Sequence, residues 1–122
     1  MGQANRPRDF RRAPGRGRRR AAPPSVGYEP WLLAQLRDPD EAAAYLEAAI
    51  EQGDQAALML ALRQVAQAQG GIARIARKAK LTREATYRML SQSGNPELRS
   101  LTAVLEAAGL RLAVRPIEKR AA

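Results

Sequence analysis

Apolar residues recur at three- and four-residue intervals along most of the chain, which is the spacing of amphipathic helices. The first long stretch follows the sequence Asp38-Pro39-Asp40-Glu41. Asp38 is suited to cap a helix, Pro39 fits the first helical position, and the following acids complement the helix dipole. This helix should run to about Gln52 and end at Gly53. Its predicted buried stripe consists of Ala42, Tyr45, Leu46, Ala49 and Ile50.

A second long helix is predicted between Asp54, which can cap it, and the Gly70-Gly71 pair, which should end it. Its buried stripe is Leu58, Ala61, Leu62 and Val65, widened by Met59 and Leu60. A last helix is predicted from Asn95-Pro96, as cap and first residue, to Gly109. Its predicted buried stripe consists of Leu98, Leu101, Val104, Leu105 and Ala108.

Shorter elements complete the prediction. A cluster of large apolar residues marks a turn or helix within residues 28–37. Residues 72–80 and 83–91 predict two short helices joined at Lys80-Leu81-Thr82, with Thr82 capping the second. Residues 110–114 alternate weakly and predict one short strand, whose simplest pairing partner is a second copy of the chain. The pattern as a whole predicts an all-α domain of five helices with a short C-terminal strand.

The two short helices have the pattern of a helix-turn-helix, because small residues at Ala76 and Ala85 let them cross closely. The inward-facing residues should be Ile75, Ala76, Leu81, Ala85, Thr86 and Leu90. The outward-facing residues are six cations and one acid, namely Arg74, Arg77, Lys78, Lys80, Arg83, Arg88 and Glu84. This excess of positive charge on one small unit favours DNA as its partner.

A recognition helix reads bases with the residues that follow its cap. Arg83 and Arg88 are therefore candidates for guanine, with a phosphate contact or a solvated charge as the alternative. Glu84 is a candidate for accepting from cytosine, and Tyr87 for a backbone or apolar contact. Other predicted DNA-binding residues are Arg74, Lys78 and Lys80.

Composition excludes several other kinds of protein. The chain has 122 residues and contains neither cysteine nor histidine, so the usual zinc ligands, a thiol nucleophile and an imidazole base are absent. We expect no catalytic residues, no metal and no cofactor. The longest apolar run, residues 56–62, is too short to cross a bilayer. A cytoplasmic protein that is neither an enzyme nor membrane-bound is the resulting expectation.

The net charge of +9 is unevenly distributed. Residues 1–25 carry eight arginines and one acid, residues 26–70 carry seven acids and two arginines, and residues 71–122 are again basic. Positive charge at both ends suggests a polyanionic partner, and a solubilising surface is the alternative. Residues 1–27, rich in arginine, proline and glycine, are predicted to be disordered. The domain should cover residues 28–115, followed by a basic tail at residues 116–122.

Residues 28–115 resemble the addiction-module antidote proteins, the HigA-like antitoxins with a phage-repressor-type helix-turn-helix. The matching stretches are Asp38-Pro39-Asp40-Glu41-Ala42-Ala43-Ala44-Tyr45-Leu46, Glu51-Gln52-Gly53-Asp54, Ile75-Ala76-Arg77, Leu81-Thr82-Arg83-Glu84-Ala85-Thr86-Tyr87-Arg88, Gly94-Asn95-Pro96 and Gly109-Leu110-Arg111-Leu112. The resemblance implies an antitoxin that neutralises a RelE-like ribonuclease toxin, represses its own operon and acts as a homodimer on operator DNA. Two positions depart from the family: Lys80 stands where glycine is usual, and Thr86 where an apolar residue is usual.

The acidic first half is the predicted toxin-facing surface, because ribonucleases that handle RNA are typically basic. The predicted anchors are Trp31, Leu32, Leu33 and Leu36, although Trp31 is equally suited to packing on the helical core. Two other functions remain open at the level of sequence. One is a stand-alone phage-type regulator without a toxin, and the other is an RNA- or nucleoid-binding protein driven by the arginine-rich tail.

Overall fold

A computed structural model describes residues 28–118, and within this range the chain forms six α-helices and no strand. The predictions for residues 1–27 and for residues 119–122 lie outside the described residues. The helices are α1 (Tyr28–Gln35), α2 (Pro39–Gln52), α3 (Gln55–Ala68), α4 (Ile72–Ala79), α5 (Arg83–Met89) and α6 (Leu98–Ala107).

The local signals at the ends of α2 and α3 act as predicted. The Asp38 carboxylate accepts from the backbone N–H of Asp40 at 2.9 Å, with Pro39 in the first turn. Gly53 ends α2 with a left-handed φ of 73°, which costs a residue without a Cβ little. Asp54 then caps α3 by accepting from the N–H groups of Ala56 and Ala57. One tight connection therefore closes α2 and opens α3.

The helices form two groups that share one core: the first is α1, α2 and α3, and the second is α4, α5 and α6. α3 packs against α1, α2 and α4, and α4 packs in turn against α5 and α6. Polar side chains reinforce the first group, since the Gln69 amide donates to the carbonyls of Leu36 and Arg37 at 3.0 and 3.1 Å. The Tyr45 hydroxyl donates to the Gln64 side chain, which ties α2 to α3. α3 and α4 are thus the two helices through which the rest of the molecule is connected.

The core consists of aliphatic residues from α1, α2, α3, α4 and α6, together with the residues that follow α1, α5 and α6. Its buried members are Leu32, Leu36, Ala42, Leu46, Ala49, Met59, Ala61, Leu62, Val65, Ala66, Ile72, Ile75, Leu90, Val104, Leu105 and Ala108. Most residues of the predicted stripes are among them. Ile50, Leu60 and Leu98 are exceptions, because each lies exposed at the surface.

Three predictions about the elements are wrong. The apolar segment at residues 28–37 contributes a regular helix, so the count is six rather than five. α6 begins at Leu98 with Glu97 at the cap position and no side-chain cap bond, so Asn95 and Pro96 belong to the preceding loop. Residues 110–114 form no strand, because a ladder requires two strands and the described part of the chain contains no second one.

Candidate nucleic-acid interface

The turn between α4 and α5 is built around Lys80, which adopts the left-handed region at φ 62° and ψ 40°. The N–H of Lys80 bonds to the carbonyl of Arg77, and the N–H of Leu81 bonds to the carbonyl of Ala76 at 2.9 Å. This pair of bonds is a Schellman motif, which satisfies carbonyls at the end of α4. The chain therefore leaves α4 in a fixed direction and reaches α5 after three residues.

Threonines fix the start of α5. The Thr82 hydroxyl accepts from the N–H of Ala85 at 3.0 Å, which is the predicted cap. Thr86 is fully buried, as predicted, and its hydroxyl donates to the carbonyl of Thr82 at 2.8 Å. Ala76 on α4 is buried as predicted, with 1% of its surface exposed, and α4 packs against α5. Small residues on these helices are compatible with such close packing.

The outer side of α5 carries the predicted base-reading residues on one face. Arg83, Glu84, Tyr87 and Arg88 are all exposed, and their spacing places them side by side along the helix. Tyr87 leaves 52% of its surface exposed, so its ring and hydroxyl are accessible to a partner. Two arginines, a carboxylate and a phenol therefore project outward within two helical turns.

Exposed cations surround this face. Arg74, Lys78 and Lys80, the other predicted DNA-binding residues, are all exposed, as is Arg77. Within residues 28–118 none of the six cations of α4, α5 and their turn forms an ion pair with an acidic side chain. Their charge is therefore not neutralised by the described part of the protein, and it produces a positive potential around α5.

α3 supports the far end of α5 through contacts that sequence reasoning missed. The Arg63 guanidinium donates to the carbonyl of Leu90, the residue at which α5 ends. The Gln55 amide donates to the carbonyl of Gly94 at 3.0 Å, in the loop that follows. The one available signal was Arg63 itself, one of two cations in an otherwise acidic stretch and set within an apolar helix.

The loop after α5 is also tightly folded. Gly94 is buried, and a Cβ built at this position would lie 2.1 Å from the carbonyl oxygen of Met89. The N–H of Gly94 donates to the carbonyl of Ser91 at 2.8 Å. Only glycine fits here without moving backbone, which accounts for its place in the sequence.

The predicted toxin-binding anchors divide between the core and the surface. Leu32 and Leu36 have no exposed surface. Trp31 and Leu33 are half-buried, and the Trp31 ring lies 6.0 Å from that of Tyr28, centroid to centroid. Two of the four anchors are therefore accessible to another protein, and two serve to hold α1 in place.

The exposed side of α2 is acidic. Asp40, Glu47 and Glu51 are exposed on it, together with Ile50, which leaves 56% of its surface in contact with solvent. Glu47 also pairs with Arg115 at 3.3 Å, and since both side chains are largely exposed the pair contributes little stability. The acidic surface and the basic surface of α4 and α5 thus lie on different helices.

A family model described as a probable addiction module antidote protein matches residues 31–116. The chain belongs to this family. The match covers all but the first three residues of the six helices, including the basic surface and the acidic one. No curated protein and no solved structure matches the chain.

Membership identifies the chain as the antitoxin of an addiction module, and it implies a toxin as partner. An antidote of this kind is a regulatory protein rather than an enzyme. Among residues 28–118 no group of three or more acidic side chains is arranged to hold a metal ion. No helix in the same range is long and apolar enough to span a membrane.

Proposed function

We propose that this antidote protein is a HigA-like, DNA-binding antitoxin of a type II toxin–antitoxin module that represses its own operon. The observation that carries the proposal is the outer face of α5, where Arg83, Glu84, Tyr87 and Arg88 project together from a helix that is capped by Thr82 and packs on α4. A short capped helix preceded by a three-residue turn is the arrangement in which a helix-turn-helix presents its recognition helix. Residues 28–115 form the domain that carries it.

In this proposal the roles follow from position. Arg83 and Glu84, directly after the Thr82 cap, enter the major groove first and read base edges. Tyr87 and Arg88 lie one turn later and contact bases or the sugar-phosphate backbone. Arg74, Lys78 and Lys80 neutralise phosphates, which fixes the orientation of the protein without reading sequence.

The proposed toxin is a RelE-like ribonuclease. An enzyme that binds RNA is typically basic, and the exposed acids of α2 offer it a complementary surface. The accessible anchors Trp31 and Leu33 lie in the same half of the chain, separate from the cations of α4 and α5. This separation allows one molecule to hold toxin and operator DNA together in the cytoplasm.

The proposed assembly is a homodimer. The apolar residues Leu112, Val114 and Ile117 follow α6 and are 42%, 94% and 92% exposed. Contact of this apolar surface with water is unfavourable, and packing against a second copy of the chain would bury it. A two-fold dimer matches a palindromic operator when its recognition helices lie about 34 Å apart, one turn of DNA. Residues 110–117 are therefore the proposed dimer surface.

The family match favours a toxin partner over a stand-alone regulator. DNA reading is tested by measuring the affinity of the whole chain for the promoter of its own operon and for random DNA of equal length, over a range of salt. We expect at least about a thousandfold preference for the promoter, which is typical of specific binding. Equal affinities would refute operator reading and would favour RNA or nucleoid binding driven by the arginine-rich tail.

A further inference from the structure

Arg63 makes the contact that holds the end of the proposed recognition helix. The last carbonyls of a helix have no partner within it, so a buried helix end needs a donor from elsewhere. Leu90, at the end of α5, is fully buried, and its carbonyl accepts from the guanidinium of Arg63 on α3. A cation at this position also interacts favourably with the helix dipole.

The support of α5 is otherwise limited. α5 has seven residues and packs mainly against α4, and its cap at Thr82 fixes only its first turn. The exposed face needed for DNA holds Tyr87 and Arg88 close to the other end. A small tilt about the capped end displaces these side chains most. The contact at Leu90 is where such a tilt is resisted.

A second contact from the same helix acts on the next segment. Gln55, at the start of α3, donates to the carbonyl of Gly94 at 3.0 Å. Gln55 and Arg63 are eight positions apart along α3, about 12 Å at the rise of an α-helix. Two side chains of α3 therefore bond to the backbone beyond the recognition face, one at the end of α5 and one in the following loop.

We propose that Arg63 is a positioning residue for operator recognition, which acts through the backbone of α5 and touches no DNA. The proposal rests on the proposed function and names a residue that sets its specificity. Side chains that bond to base edges must be held in precise positions by the residues behind them, whereas attraction to phosphates depends mainly on charge. Loss of the Arg63 contact should therefore reduce the reading of base edges more than the attraction to phosphates. Arg63 thus differs in kind from the exposed arginines of α5.

The test compares Arg63→Met, which keeps much of the aliphatic stem but removes the donor and the charge, with Arg37→Met. Arg37 is exposed in the connection between α1 and α2, and its substitution changes net charge equally. We expect Arg63→Met to lower the ratio of promoter affinity to random-DNA affinity about tenfold, the size of one lost specific contact. The slope of log affinity against log salt should stay unchanged, because no phosphate contact is lost. Arg37→Met should alter neither the ratio nor the slope.

A second readout needs no DNA. Amide hydrogen exchange of Leu90 and Ser91 should speed up in Arg63→Met, while that of α2 should not change. Arg63→Lys retains a charge and a donor. It should therefore show a smaller loss of discrimination between the two DNAs and a smaller increase in exchange than Arg63→Met. These measurements are made at temperatures well below the thermal unfolding midpoint of each variant, so that global unfolding does not contribute to them.

Several results would overturn the proposal. An equal loss on both DNAs with a flatter salt slope would make Arg63 a phosphate contact. Unchanged discrimination together with unchanged exchange would show that α5 does not need this contact. If the wild-type chain itself fails to discriminate, the proposed function fails, and the exchange measurement then decides by itself whether Arg63 holds α5.

Discussion

Lys80 is the one non-glycine residue with a positive φ among residues 28–118. A side chain with a Cβ pays on the order of 1 kcal/mol to adopt the left-handed region. Lys80 stands in a turn where the related antitoxins usually have glycine, the residue that adopts this region most easily. The Schellman bonds around Lys80 hold it in the left-handed conformation.

Replacing Lys80 by glycine should therefore stabilise the fold. We expect Lys80→Gly to raise the free energy of unfolding by about 0.5–1 kcal/mol over that of Lys80→Ala, which removes the same charge but keeps the Cβ. Urea unfolding of the two variants measures this difference. Equal stabilities would mean that the turn relaxes out of the left-handed region. Both variants should lose the same phosphate contact with DNA.

Thr86 is the second residue that departs from the related antitoxins, and its polarity is accommodated. Its hydroxyl donates to the carbonyl of Thr82 within the same turn, so the buried position contains no unpaired group. Sequence alone placed Thr86 in the core correctly. The partner of its hydroxyl depends on the backbone of α5, which a residue pattern does not describe.

At the scale of elements, predictions succeeded where the signal is local. The caps at Asp38, Asp54 and Thr82 bond to backbone two or three residues away, so neighbouring residues determine them. The start of α6 failed for the opposite reason. Asn95-Pro96 has the local chemistry of a cap, but Gly94 is buried and bonded to Gln55, 39 positions earlier. The loop that contains this distant contact continues to Glu97, at the cap position of α6.

The candidate sites show the same division. The exposed face of α5 follows from helical spacing and charge, both of which are visible in the sequence. Arg63 was missed because its partner is a backbone carbonyl 27 positions away, and no residue type signals such an acceptor. Leu32 and Leu36 were placed at a partner surface because an apolar cluster has the same composition in a core and in an interface.

α1 provides a test of the toxin surface. We expect Trp31→Ala to weaken toxin binding about tenfold or more, because a half-exposed tryptophan is a strong interface anchor. Leu36→Ala is the matched control, since Leu36 is fully buried: it should lower stability by about 2–5 kcal/mol, while its folded fraction binds toxin normally. Titration of toxin against each folded variant measures the two toxin affinities. A folded Trp31→Ala protein with wild-type affinity would remove Trp31 from the interface.

At the scale of the whole molecule, the apolar side chains after α6 predict the dimer surface. We expect the double variant Leu112→Asp, Val114→Asp to raise the dimer dissociation constant at least about a hundredfold, because it places charges where apolar surface is proposed to be buried. Sedimentation equilibrium without DNA measures this constant. Leu98→Asp is the control, since Leu98 is 67% exposed in the first turn of α6, whereas the proposed surface follows the last turn. If Leu98→Asp weakens the dimer and the double variant does not, the interface lies on α6 instead.

The central claim is that one surface reads the operator while another holds the toxin. The most direct measurement combines promoter repression and toxin neutralisation in cells for the double variant Arg83→Ala, Arg88→Ala, with Arg37→Ala, Arg99→Ala as a control of equal charge. We predict that the first variant loses repression, at a cost of about 1–3 kcal/mol in operator binding for each side chain that reads a base, and still neutralises the toxin. The control should keep both activities. Wild-type repression by the Arg83→Ala, Arg88→Ala protein would contradict the account, as would parallel loss of repression and neutralisation in a variant that remains folded.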